Sequence, residues 1–166
     1  LSWTIQSLGF SLNSVFFTDV NTGYIVGNGG KILKTTDGGL SWNALISGTS
    51  SNLHSVNFTD NNTGYIVGWH GLILTTSNGG LTWNPSPYMT NNNLNFVYFT
   101  NSNTAYIVGD NGTILKTTNG GGLGIQETTL TKNLKVYPNP ATNSLTLNLS
   151  QLQGLQNATV SIYNIQ

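Results

Sequence analysis

The chain has 166 residues, 37% of them hydrophobic, enough for one ordinary domain or one domain plus a fragment of another. Only 6% are charged, the formal net charge is zero, and the basic residues are five lysines (Lys31, Lys34, Lys116, Lys132, Lys135), so no basic surface exists to neutralise nucleic-acid phosphates. Cysteine is absent, which removes disulfides, thiol nucleophiles and thiolate metal sites, and no apolar run approaches the roughly 18 residues of a membrane span.

Leu1-Ser2-Trp3 opens the chain and returns as Leu40-Ser41-Trp42, so the first residues read as the last strand of a unit whose other strands lie elsewhere. Val15 and Phe17 then keep one face of a segment apolar while Phe16 faces the other way, the period-2 pattern of a first strand, A. Asn21-Thr22-Gly23 fits a tight turn in which Asn bonds its own backbone and Gly takes positive φ. Tyr24 to Gly27 is apolar throughout and predicts a strand B buried on both faces, Ile32 to Thr35 a strand C, and the stretch from Trp42 a strand D.

This unit repeats. Tyr24, Tyr65 and Tyr106 each precede Ile-Val-Gly at a spacing of 41, and Phe17, Phe58 and Phe99 keep the same register. A period near 40 with several short strands per unit is what propeller blades show, because a four-stranded sheet cannot bury both faces without neighbours. The prediction is therefore an all-β chain: a β-propeller fragment of three four-stranded blades over 1–121, a flexible linker over 122–133, and a partial β-sandwich over 134–166. Three blades fall below the usual four to eight. Either further blades precede Leu1, the favoured reading, or the Leu1-Ser2-Trp3 strand closes a ring by completing the last blade.

Between strands C and D, Thr35, Asp37, Gly39 and Trp42 recur as Thr76, Asn78, Gly80 and Trp83. The stretch resembles the Asp-box, or BNR repeat, in which a carboxylate accepts backbone amides inside a turn, glycines permit positive φ, and an indole plugs the gap between strands. The third copy, Thr117 to Gly122, keeps the turn but has no Trp after it. The whole unit resembles the repeats of the photosystem II stability and assembly factor family over residues 1–121. Only the repeat points to photosynthesis, and the absence of arginine argues against a basic docking surface.

Past the glycine-rich Gly120 to Gly124 the pattern changes to Tyr137-Pro138-Asn139-Pro140, followed by Leu145, Leu147 and Leu149 alternating with polar residues. Residues 134–166 resemble the start of the type IX secretion C-terminal sorting domain, incomplete here. The resemblance implies the type IX secretion machinery as a partner and a secreted or cell-surface location.

No catalytic residue is assigned. A sialidase-type site needs an arginine cluster and the chain has no arginine; Asp19, Asp37 and Asp60 sit in repeat turns, Glu127 lies in the linker, and Asp110 alone is no carboxylate pair. His54 and His70 lack the company a metal needs, and no cofactor is implied. His54 occupies the strand A position held by Asn13 and Asn95, so a polar, solvent-facing role is expected. Repeat architecture leaves one loop undictated, between strands B and C, where the units carry Asn28-Gly29, Trp69-His70 and Asp110-Asn111. The D-to-A loop adds Pro85, Pro87, Tyr88 and Met89 on the same side. Trp69, His70, Tyr88 and Asp110 are therefore the candidate face for an unidentified protein or glycan ligand. The expected function is a secreted or cell-surface binding or scaffold module without catalysis; the alternative is a fragment of a larger secreted propeller glycosidase whose active-site blades lie upstream.

Overall fold

Each repeat folds as an antiparallel meander because its strands are short, apolar on at least one face and separated by turns too tight for crossovers. The computed structural model describes residues 2–120 and the short pair of strands at 136–137 and 146–147. Strands β1 (Leu12–Phe17), β2 (Gly23–Gly27), β3 (Ile32–Thr35) and β4 (Asn43–Leu45) form the first sheet in sequence order. The second repeats it with β5 (Leu53–Phe58), β6 (Gly64–Gly68), β7 (Ile73–Thr76) and β8 (Asn84–Pro85). The third, β9 (Leu94–Phe99), β10 (Ala105–Gly109) and β11 (Ile114–Thr117), has three strands among the described residues, one fewer than the repeat predicts. Its Asp-box turn is not followed by a Trp like Trp42 and Trp83 of the first two units.

The chain divides into two compact units, Leu1–Gly124 and Ile125–Gln166. In the second, β12 (Val136–Tyr137) pairs antiparallel with β13 (Thr146–Leu147), setting Val136 opposite Leu147. Pro138, Asn139 and Pro140 of the sorting motif, together with the linker, lie outside the described residues.

The blades bury each other serially. Val56 and Phe58 on β5 meet Tyr24, Val26 and Ile32 of the first blade in one core, and Val97 and Leu94 of β9 meet Val67 of the second in another. Tyr24 stacks on Phe58 at 4.1 Å between centroids, and Tyr65 meets Phe99 at 4.4 Å. β6, with a blade on each side, is buried at every residue, as predicted for strand B, whereas β10 leaves Tyr106 and Val108 exposed because no blade among the described residues covers its outer face. The same reason leaves Val15 and Phe17 exposed on the outer face of the first blade.

Two local expectations change. Asp19 and Asp60, not Asn21 and Asn62, close the A-to-B turns: each Oδ1 accepts the amides two and three residues on. Gly23 and Gly64 do not take positive φ. A Cβ there would lie 2.7 and 2.5 Å from the rings of Phe17 and Phe58, so glycine gives the aromatic ring its seat. Leu1-Ser2-Trp3, read as a strand D, forms no strand over its described residues, and Trp3 is 96% exposed. A strand needs a strand C beside it, and this segment has none among the described residues.

Candidate functional site

The Asp-boxes lie at one end of the blades and act as joints between them. Thr35 Oγ1 donates to Asp37 Oδ1 at 2.7 Å and accepts the Gly39 amide at 2.9 Å, while Ser41 donates to the carboxylate through both its amide and its hydroxyl. These bonds, the Ser41 hydroxyl first, lower the Asp37 carboxyl to about 2. Thr76 and Asn78 build the same turn with an amide, which accepts the Thr82 N–H and donates to the Thr82 hydroxyl. Gly79 O then accepts bonds from the Tyr24 hydroxyl and Lys34 Nζ of the preceding blade, both at 2.9 Å, and the Tyr65 hydroxyl reaches Gly120 O one repeat later. Trp83 packs edge-on to Phe58 and is 7% exposed; Trp42 meets Phe17 in the same way but is only half-buried. The indole thus fills a seam between blades, and its burial depends on whether a preceding blade is there.

At the opposite end, the B-to-C loops are single 3-10 turns, Asn28–Gly30, Trp69–Gly71 and Asp110–Gly112. Their middle residue is left-handed: Gly29 at φ 65°, His70 at 56° and Asn111 at 54°. Histidine holds that conformation at a cost on the order of 1 kcal/mol, where the first unit uses glycine. Part of what enforces it is the next blade, whose Asn93 Oδ1 accepts the His70 amide as Asn52 Oδ1 accepts that of Gly29.

Beside each loop lies a β-bulge at the start of strand A, where the ladder shifts register between Leu12 and Ser14, between Leu53 and Ser55, and opposite Val108 and Gly109. The displaced residues are Asn13, His54 and Asn95, and the bulge aims their side chains along the rim. Asn13 donates to Leu53 O of the next blade, and His54 Nδ1 lies 3.1 Å from Leu94 O and 3.2 Å from Asn95 Oδ1. His54 is therefore half-buried in a bridge between blades, and the solvent-facing role expected for it gives way to one in the rim. Period-2 alternation hides this residue, because a bulge breaks the alternation there.

Trp69 is 42% exposed and lies near-perpendicular to two imidazole rings, His54 at 6.3 Å and 89° and His70 at 6.0 Å and 82°. Asp110 joins the group through Asn95, which donates to Asp110 Oδ1 at 2.7 Å, and Asn93 donates to its other oxygen at 2.9 Å. Those two amides, with a smaller contribution from the His54 charge, lower its pKa. The structure thus links Trp69, His70 and Asp110 through His54 and Asn95. Tyr88 is exposed on the D-to-A loop and has no hydrogen bond or ring contact with any of them. Among the described residues no group of three or more His, Asp or Glu is placed to hold a metal ion, and no helix is long and apolar enough to cross a membrane.

The family model of the photosynthesis system II assembly factor YCF48 matches residues 41–142, and that of the secretion system C-terminal sorting domain matches 135–166. No curated protein is significantly similar to the chain. Among solved structures, YCF48 bound to a D1 peptide is similar at 24% identity and a TM-score of 0.61, over 68% of this chain and 38% of that one. YCF48 from Cyanidioschyzon merolae is 26% identical with a TM-score of 0.58, over 69% and 37% of the two chains. An ancestral GH74 enzyme shares the fold at 24% identity and a TM-score of 0.53, over 66% of this chain and 17% of its own. The chain thus spans well under half the length of the solved relatives it matches.

Proposed function

The chain belongs to the family of the photosynthesis system II assembly factor YCF48, and from that premise we propose that it is a non-catalytic binding or scaffold propeller module working in secreted or surface-attached form. Its sorting domain directs export through the type IX secretion machinery. Binding is the reading favoured by the B-to-C loops, where the repeat departs from itself: His70 keeps a left-handed backbone that glycine would hold without strain, beside a Trp69 left exposed near two imidazoles.

The non-catalytic reading draws on the four carboxylates among the described residues. A general acid for glycoside cleavage needs a raised pKa. Asp19, Asp37, Asp60 and Asp110 are all lowered instead, by amides and hydroxyls that hold them ionised. The likeness to a GH74 enzyme carries the fold alone and does not favour a hydrolase.

The test is a panel of immobilised glycans and cell-envelope fractions probed with the intact chain and with Trp69→Ala. Binding to at least one member, lost in the variant while the folded state persists, is the expected result. Unchanged binding by a folded Trp69→Ala protein removes this face from consideration.

A further inference from the structure

In each blade the residue displaced by the strand A bulge touches the first residue of the B-to-C loop. Asn13 Nδ2 donates to Asn28 Oδ1 at 2.9 Å, and Asn95 Nδ2 donates to Asp110 Oδ1 at 2.7 Å. In the second blade both members differ: the His54 imidazole replaces the amide and the Trp69 indole replaces its partner, with ring centroids 6.3 Å apart. The bulge residue also reaches the next blade, where Asn13 donates to Leu53 O at 2.8 Å and His54 Nδ1 lies 3.1 Å from Leu94 O. An asparagine therefore makes both contacts of this position, and the joint between blades does not need a histidine.

What the histidine adds is an acceptor at a fixed place. Leu94 O can only accept, so the ring nitrogen facing it, Nδ1, carries the proton. Asn95 Oδ1, 3.2 Å from the same nitrogen, is turned to it because the Asp110 carboxylate holds the other end of that amide. Asp110 is itself bound by Asn93 Nδ2 at 2.9 Å, and Asn93 Oδ1 accepts the His70 amide. One connected set of side chains from Asp110 to His54 thus selects the Nδ1–H tautomer and leaves a lone pair at Nε2, on the side of the ring away from Leu94 O. Nε2 has no partner among the described residues.

An acceptor of fixed direction beside an open indole suits a ligand with an apolar C–H face ringed by hydroxyls, which is the chemistry of a sugar. Charge favours a neutral one. The Asp110 carboxylate lies at this rim, while the described lysines are engaged elsewhere: Lys31 over the Phe10 ring, Lys34 on Gly79 O at the Asp-box end, and Lys116 over Tyr106. We propose, resting on the binding reading above, that His54 and Trp69 form a subsite for a neutral glycan, one sugar ring packing on the indole and donating a hydroxyl to His54 Nε2. Sheets packed face to face lie about 10 Å apart, so the Asn13–Asn28 pair of blade one and Asp110 of blade three flank this subsite within reach of the next sugars of a linear chain.

The first unit supplies variants that keep the fold. His54→Asn and Trp69→Asn each install the residue that blade one carries at that position, and together they recreate the bonded Asn13–Asn28 pair. The intact chain and both variants are compared by affinity electrophoresis in native gels containing a soluble neutral β-glucan or a mannan, with polygalacturonate and a sulfated glycan as charged counterparts. The intact chain should be retarded by at least one neutral polymer and by neither charged one. Trp69→Asn should weaken that retention by about tenfold or more, as loss of an aromatic anchor does, and His54→Asn by about fivefold, the worth of one neutral hydrogen bond. A long-range proton–nitrogen NMR spectrum should show His54 protonated at Nδ1 and bare at Nε2 in mildly alkaline solution, and an oligosaccharide of the retained polymer should shift the Nε2 resonance. Retention by a charged polymer, or by none of the four, overturns the glycan assignment, while the binding module stands if a cell-envelope fraction still holds the intact chain and releases Trp69→Ala. A His54 protonated at Nε2, or a His54→Asn chain that binds as the intact one does, removes the imidazole from the site and overturns the subsite.

Discussion

The first and second Asp-box joints share a motif and differ in worth. Thr35, Asp37, Gly39 and Trp42 make the same turn as Thr76, Asn78, Gly80 and Trp83, with the same edge-on contact to a strand A phenylalanine. Yet Trp83 is buried between Phe58 and the first blade, and Trp42 is half-open because nothing described lies beyond Phe17. The motif fixes local geometry; the neighbouring blade sets the energy. Repeat proteins generally behave this way, their stability being a sum of unit and nearest-neighbour contributions.

The largest expected effect follows directly. Trp83→Ala should destabilise by about 3–5 kcal/mol, the range for a large buried aromatic, and Trp42→Ala by less, since Trp42 is less completely buried. Chemical denaturation of the two variants checks this. Equal losses in the two variants would mean that the Asp-box turn, rather than the neighbouring blade, carries the stability.

Much of this frame is legible in the sequence because strands obey alternation and the repeat tests each assignment three times. Val56 and Phe58 face the core that their period-2 spacing predicts, and strand D starts one residue after each Trp. What escapes the sequence depends on partners across space. Gly23 reads as a positive-φ turn residue, but its reason is the Phe17 ring, which no local pattern places there. His54 reads as solvent-facing because a bulge is invisible to alternation, so the imidazole linking Trp69 to Asn95 and Asp110 is found only in three dimensions. Trp3 reads as a strand D residue and is one only if a strand C from elsewhere meets it.

A smaller effect sharpens the comparison at the level of single hydroxyls. Tyr24 is fully buried and donates to Gly79 O, so Tyr24→Phe removes a buried hydrogen bond worth about 1 kcal/mol, with Lys34 still satisfying the carbonyl. Tyr106 holds the same repeat position but is exposed, and Tyr106→Phe should leave the stability of the dilute chain unchanged within a few tenths of a kcal/mol. Thermal unfolding of both variants measures the difference. A matching loss in Tyr106→Phe would show that its hydroxyl already has a partner within the single chain.

The smallest effect separates the joints by charge. Asp37 titrates at about 2 when folded, held down by the Ser41 hydroxyl, the Ser41 amide and the Thr35 hydroxyl, against an ordinary aspartate value near 3.9 in an unfolded chain. A folded-state pKa below the unfolded one gives stability that is fully present above about pH 4 and is lost as pH falls through about 2. Asn78 occupies the same turn with the same backbone bond and nothing to titrate, so the second joint should be indifferent to that interval. Asp37→Asn should therefore fold normally at neutral pH, as the Asn78 turn already does, and should flatten the acid limb of the stability curve between pH 4 and 2. Asp19, Asp60 and Asp110 are lowered as well, so part of the limb will persist. The readout that isolates Asp37 is the side-chain carboxyl chemical shift of the folded protein followed by NMR through the same interval. A midpoint near the ordinary aspartate value would mean that the Ser41 and Thr35 bonds do not hold the charge in solution.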